Sequence, residues 1–349
     1  MLAELLRVTV AKRDDIVRRI EGASTRPESV SKVWIHYEPS PAGKPVVGAV
    51  DGSMNYKEYK GFAVYAVAAE AAIFTSEAVD LIRLCDVDIL EPYFRPRDRI
   101  RLYMSIYELK AAARAVKRCD RLLLDGSLLS NIIRPVVWYP RNIPQELVVQ
   151  LAAEAASCLE GELVSRRYRS LLDDDPGDAA TLLEYVEYLA LLRRLLDDGG
   201  ETIVAVAKSS KSTTYFKDYV KPDIAIFEKY ARGPGFSKPR IETISENSKA
   251  RKWKYPIYEG YFKALRITTF YARLVDGGPV LKFEVPGVLG EKDVRRLLDE
   301  ICYFCVSGYP YPLRKVHVDV DIKNVYMENV IRVLSLYGEK TGRESLENI

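Results

Sequence analysis

Residues 2–20 place apolar side chains at helical spacing among charges and predict an amphipathic N-terminal helix. A link containing Pro and Gly, residues 38–45, follows. Pro45-Val-Val-Gly-Ala-Val-Asp51 is then a short apolar run stopping at Gly52, the pattern of a buried strand. Residues 61–74, rich in Val, Tyr and Phe, and residues 78–85 predict two more strands. Residues 98–118 predict a long helix with Asp98 as N-cap and an Ala-rich middle. The next buried strand is Arg121-Leu-Leu-Leu-Asp125. Residues 144–198 are strongly helical, broken by a charged turn at 173–178, and predict a helical insertion or lid. Strands are expected at 202–207 and 223–227, and at 265–274 and 280–285 around the hairpin signal Asp276-Gly-Gly-Pro. Residues 291–304 predict a helix. Residues 315–322 alternate strictly and predict a strand, before a last amphipathic helix at 325–337.

This mixture is α/β. Its order of early strand, meander, helix and second buried strand is that of a ribonuclease H-like core, a mixed sheet flanked by helices. The division expected is a helical segment over residues 1–40 and one main domain over 41–349, carrying the insertion at 144–198. Neither internal repeats nor low-complexity tracts interrupt it.

Composition narrows the function classes. With 349 residues and 48% hydrophobic content the chain can bury a sizeable core. Its longest apolar stretch, residues 62–74, is short and interrupted by Glu70, so no membrane span is expected. The charged N-terminus is unlike a signal peptide, and a cytoplasmic protein is expected. A net charge of +3 excludes a polycation that binds through bulk charge, so any nucleic-acid site must be a local concentration. Five cysteines include one C-x-x-C, Cys302 and Cys305, but a zinc site usually needs a second pair or nearby histidines. The chain has only His36 and His317.

Candidate chemistry begins with two apolar runs that each end in Asp-Gly-Ser, at Asp51 and Asp125. Glycine allows a tight departure from a strand end. If the strands are parallel neighbours, the two carboxylates emerge together and repel unless a cation lies between them. Ordinary turn chemistry is the alternative for either copy. Glu108 falls on the small-residue face of its helix, with Met104, Ser105, Ala111 and Ala112, and could project over the sheet edge as a third ligand. In Val316-His-Val-Asp-Val-Asp-Ile322, read as a strand, His317 shares a face with Asp319 and Asp321 and is a fourth candidate. Three carboxylates and a histidine suit Mn²⁺ or Mg²⁺, ions that serve phosphodiester hydrolysis in pairs. A basic and aromatic stretch, residues 249–273, offers cations for phosphates and rings for unpaired bases, with Arg251, Lys252, Trp253, Lys254 and Tyr255 at its centre. Lys208 and Lys211, just after a strand, are further candidate phosphate contacts.

Taken together, Val47-Gly-Ala-Val-Asp51-Gly-Ser, Glu108, Leu122-Leu-Leu-Asp125-Gly-Ser, Ala207-Lys208-Ser, Tyr309 and His317 resemble the NurA family of archaeal and bacterial nucleases. The resemblance implies a ribonuclease H-like core and a manganese-dependent 5′-to-3′ exonuclease with single-strand endonuclease activity. It implies a homodimer working with the hexameric HerA helicase-translocase in DNA end resection, with the N-terminal region in contact with one or the other. By position it assigns Asp51, Glu108, Asp125 and His317 to metal binding, Tyr309 to the active site and Lys208 to a nearby basic position. Two other readings remain: an actin-like or sugar-kinase-type ATP-binding phosphotransferase using the two aspartates around Mg-ATP, and a non-catalytic DNA-binding partner of a helicase.

Overall fold

The computed structural model describes residues 1–21, 27–41, 43–133, 143–171, 176–217, 219, 221–247 and 253–340, and it is built on one mixed sheet. The sheet has ten strands: β1 (Trp34–His36), β2 (Val47–Glu58), β3 (Ala63–Phe74), β4 (Val79–Ile89), β5 (Arg121–Asp125), β6 (Ile203–Ala207), β7 (Gly235–Ser237), β8 (Arg240–Thr243), β9 (Arg266–Arg273) and β10 (Val280–Pro286). Their order across the sheet is β1-β7-β9-β10-β6-β5-β2-β3-β4, with β8 beside β9. The helices are α1 (Leu2–Glu21), α2 (Pro27–Ser31), α3 (Pro96–Ala115), α4 (Leu128–Ile132), α5 (Gln145–Ser157), α6 (Pro176–Gly199), α7 (Asp223–Tyr230), α8 (Glu259–Ala264), α9 (Glu291–Cys302), α10 (Tyr311–Val320) and α11 (Asn324–Val333).

The centre of the sheet is parallel: β5 pairs in parallel with β2 on one side and β6 on the other. Strands so placed are covered on both faces, and the uninterrupted apolar runs of β5 and β6 supply both. Alternation then sorts side chains to two cores. Val50, Leu122, Leu124 and Ala205 join a cluster with α3, α5 and α6. Val47, Ala49, Leu123, Val204 and Val206 join one with α9 and α10. The helical stretch expected as an insertion or lid forms a layer of the first core, because α6 is buried along most of its length. Ion pairs wholly out of solvent fasten it to α3: Arg99 to Glu184 at 2.7 Å and Lys110 to Glu187 at 3.2 Å.

Four elements differ from expectation. The first apolar run does not stop at Gly52: β2 pairs with β3 from Val47↔Phe74 to Glu58↔Ala63, so Gly52 lies mid-strand. It is small there because Met104 of α3 approaches, and a Cβ would lie 3.0 Å from Met104 Cγ. Residues 315–322, read as a strand, belong largely to α10. Pro312 near the helix start presets the backbone, and Leu313, Val316 and Val320 recur at helical spacing and are buried while Val318 faces out. Residues 223–227 open α7, a short apolar run whose period cannot separate strand from helix. The helix expected from Asp98 begins at Pro96 with Arg95 as N-cap, leaving Asp98 in the first turn. The hairpin of β9 and β10 is as expected. No helix among the described residues is long and apolar enough to cross a membrane.

Candidate metal centre

Parallel pairing of β2 and β5 runs from Val47↔Arg121 to Val50↔Leu124, so Asp51 and Asp125 follow side by side where the two strands part. Their side chains are in phase with Ala49 and Leu123 and therefore leave on the α10 face. β5 stops at Asp125. Gly126 takes φ 105°, a conformation that favours glycine, and donates its N–H to Val206 O at 2.9 Å. Ser127 caps α4, its Oγ accepting from Ser130 N–H at 3.2 Å. Only this second Asp-Gly-Ser is a turn. In the first, the strand continues, and Ser53 Oγ accepts from Ile322 N–H at 3.0 Å while Asn55 Nδ2 donates to Ile322 O at 3.0 Å. These bonds hold the end of α10 against β2. His317 of α10 lies at 2.7 Å from Asp51, Nδ1 to Oδ2. Ligand atoms of Asp51, Asp125 and His317 all fall within 4.8 Å of one another.

Burial raises the Asp51 carboxyl above its usual range, and the charge of Asp125 adds to this, against lowering by His317 and the Gly52 N–H. Lys208, at the end of β6, sets Nζ 2.8 Å from Asp125 Oδ2 and 5.3 Å from the centre of the Tyr309 ring. Burial disfavours its charge, but Asp125 holds the ammonium above its ordinary pKa. Tyr309 is pushed up by burial and by Asp125, against a smaller lowering by the Lys208 ammonium, so its hydroxyl keeps its proton at neutral pH. Two crowded carboxylates and an imidazole form a donor set that fits a hard divalent cation, which would relieve the repulsion that burial aggravates.

Other predicted residues fall elsewhere. Glu108 is half-buried on α3, the helix covering the Val50 and Gly52 face of β2, and its carboxylate is outside the close group. Lys211 is exposed in the loop after β6. His317 does not share a face with Asp319, since the segment is helical, and Asp321 lies just past the end of α10; Asp319 instead pairs with Lys315 and approaches Arg83 at 4.0 Å. The basic and aromatic stretch is corrected in part. Trp253 packs against the first core and donates Nε1–H to the Tyr185 hydroxyl at 3.2 Å. Tyr255 is buried, donates to Ile132 O at 3.1 Å and stacks on Phe262. The Tyr255 ring is thus enclosed by the core, while the Trp253 ring is half-buried against it. Lys254 is exposed, and Arg251 and Lys252 lie outside the described residues. Sequence reasoning passed over Glu70, which the register sets directly opposite Asp51. Its signal was a lone acid within the apolar run of β3.

A family described as NurA domain matches residues 45–322. The probable DNA double-strand break repair nuclease NurA of Methanocaldococcus jannaschii is 27% identical, over 95% of this chain and 89% of the relative. The crystal structure of the NurA nuclease from Sulfolobus solfataricus superposes with a TM-score of 0.76 at 23% identity, covering 100% of this chain and 98% of that one. A crystal structure of NurA bound to dAMP and manganese gives a TM-score of 0.59 at 18% identity, covering 92% of this chain and 94% of that one.

Proposed function

The chain belongs to the NurA family, and from that premise we propose that it is a manganese-dependent DNA nuclease whose ion is held by Asp51, Asp125 and His317. The observation that carries this reading is the mutual approach of those three groups within 4.8 Å at the parting of β2 and β5. A NurA of similar fold whose crystal structure is bound to dAMP and manganese supports it. When bound, such ions supply an activated water for in-line attack and stabilise the leaving oxygen.

The chain's own residues do the rest. Asp51 and His317 orient each other through their 2.7 Å contact. Lys208 is a cation for a phosphate oxygen, to be released from Asp125 as an ion takes over that carboxylate. Tyr309, still protonated, offers its hydroxyl proton to the same phosphate. Glu108 enters the proposal on family resemblance alone, as a further carboxylate that would help hold the metal from α3, the helix covering β2. Lys211 and Lys254 are left as exposed cations along the DNA path.

The family resemblance further supports a ribonuclease H-like core and 5′-to-3′ exonuclease action on single- and double-stranded DNA with single-strand endonuclease activity. It also supports a homodimer and a role in end resection with HerA. α1 is exposed along its length, including Leu2, Leu5, Leu6 and Ile20, as a contact element would be. The ATP-binding alternative loses its main support, because Asp51-Gly-Ser is mid-strand and makes no phosphate-binding turn. DNA labelled at either end, incubated with Mn²⁺ or with chelator, tests the proposal. Manganese-dependent release of label from the 5′ end is expected; ATP hydrolysis without cleavage would overturn it.

A further inference from the structure

Glu70 lies in β3 directly across from Asp51, and cross-strand partners present their side chains on the same face about 4.5–5.5 Å apart at Cβ. Only 3% of the residue is exposed. One carboxylate oxygen, Oε2, accepts from Arg83 Nε at 2.6 Å; the other, Oε1, is buried without any hydrogen-bond partner. Leaving a charged acceptor buried and unmatched is costly. A strand position packed among alanines would be more stably filled by an apolar residue. Arg83 cannot balance the second oxygen, because it turns outward, with its side chain 65% exposed, and reaches toward Asp319.

We propose that Glu70 is a positioning carboxylate of the metal centre, accepting through Oε1 a hydrogen bond from the hydration shell of the ion beside Asp51. This rests on the metal-centre reading above. Direct ligation is disfavoured, since Glu70 is not among the groups whose ligand atoms lie within 4.8 Å of one another. An acceptor one water removed supports a site by orienting what the ligands hold, and removing such a group typically weakens metal binding about 10–100-fold.

The test is Mn²⁺ binding to the DNA-free chain, read by electron paramagnetic resonance, with melting in chelator measured alongside. Glu70→Gln can still accept from Arg83 but turns a donor toward the site. It is expected to weaken Mn²⁺ binding at least about tenfold without lowering the metal-free melting temperature. Arg83→Met, which removes only the ion pair, should bind Mn²⁺ as wild type does. Should Glu70→Gln not fold, Glu70→Asp withdraws the same oxygen and should weaken binding likewise. Unchanged Mn²⁺ affinity in the folded Glu70 variant overturns the proposal, as does equal loss of melting temperature in the Glu70 and Arg83 variants with no change in affinity. If wild type itself binds no Mn²⁺, the metal-centre reading fails and takes this inference with it.

Discussion

Asp51 is costly to the folded chain until something shares its charge. Its side chain is 14% exposed, burial raises its carboxyl, and Asp125 stands beside it. A raised carboxyl favours the fold while it is protonated. That contribution is complete below pH about 4 and is lost as the pH rises through the raised folded value. In chelator, Asp51→Asn should therefore be more stable than wild type near pH 7, by roughly 0.5–2 kcal/mol, and the gain should shrink toward pH 4. Thermal melts across that range read both. The same substitution should remove Mn²⁺ binding, because the ion needs the charge that the fold disfavours. At this scale much was legible in sequence: Asp51, Asp125 and His317 stand together, and Lys208 and Tyr309 beside them. The ring of Tyr255 misled, since composition cannot tell an aromatic residue that meets DNA from one that fills a core.

The turn after β5 and the helix carrying His317 decide whether those residues meet. Gly126 takes φ 105°, and a Cβ added there would meet nothing within 4 Å, so the obstacle to Gly126→Ala is backbone strain alone, roughly 1–3 kcal/mol. That strain should lower the melting temperature and, by shifting Asp125, weaken Mn²⁺ binding; an Ala variant with wild-type melting would show that the turn does not need the left-handed backbone. α10 shows why local pattern was insufficient. Val316, Val318 and Val320 alternate as a strand would, yet two of them are also four residues apart, the spacing of a helix face. Pro312 and the core contacts of Leu313 settle the choice. The fold thus delivers His317 to Asp51 from a helix where a strand was expected.

Across the whole molecule, the buried strand β5 was legible in its uninterrupted apolar run, while its parallel pairing with β2 stood only as a condition and the packing of residues 144–198 was not legible. Helical periodicity reports that a helix forms, not how deeply it is buried. The charges of α6 explain the misreading: Glu184 and Glu187 look solvent-facing in sequence but are paired inside, and Glu187 also accepts from the N–H of Ser165 at 2.8 Å. Removing it in Glu187→Ala leaves Lys110 charged and buried, at a cost of about 3–5 kcal/mol. Denaturant unfolding should show that loss, with Mn²⁺ affinity of the folded fraction unaltered, since neither residue of the pair belongs to the group formed by Asp51, Asp125 and His317. All of this architecture serves one strand parting, where two carboxylates and an imidazole converge. The most direct measurement is the rate at which labelled single-stranded DNA is cut at saturating Mn²⁺ by wild type and by Asp125→Asn. Loss of most cleavage, on the order of 10³-fold or more, with undiminished melting in chelator is the predicted result. Cleavage by Asp125→Asn at the wild-type rate would contradict the account.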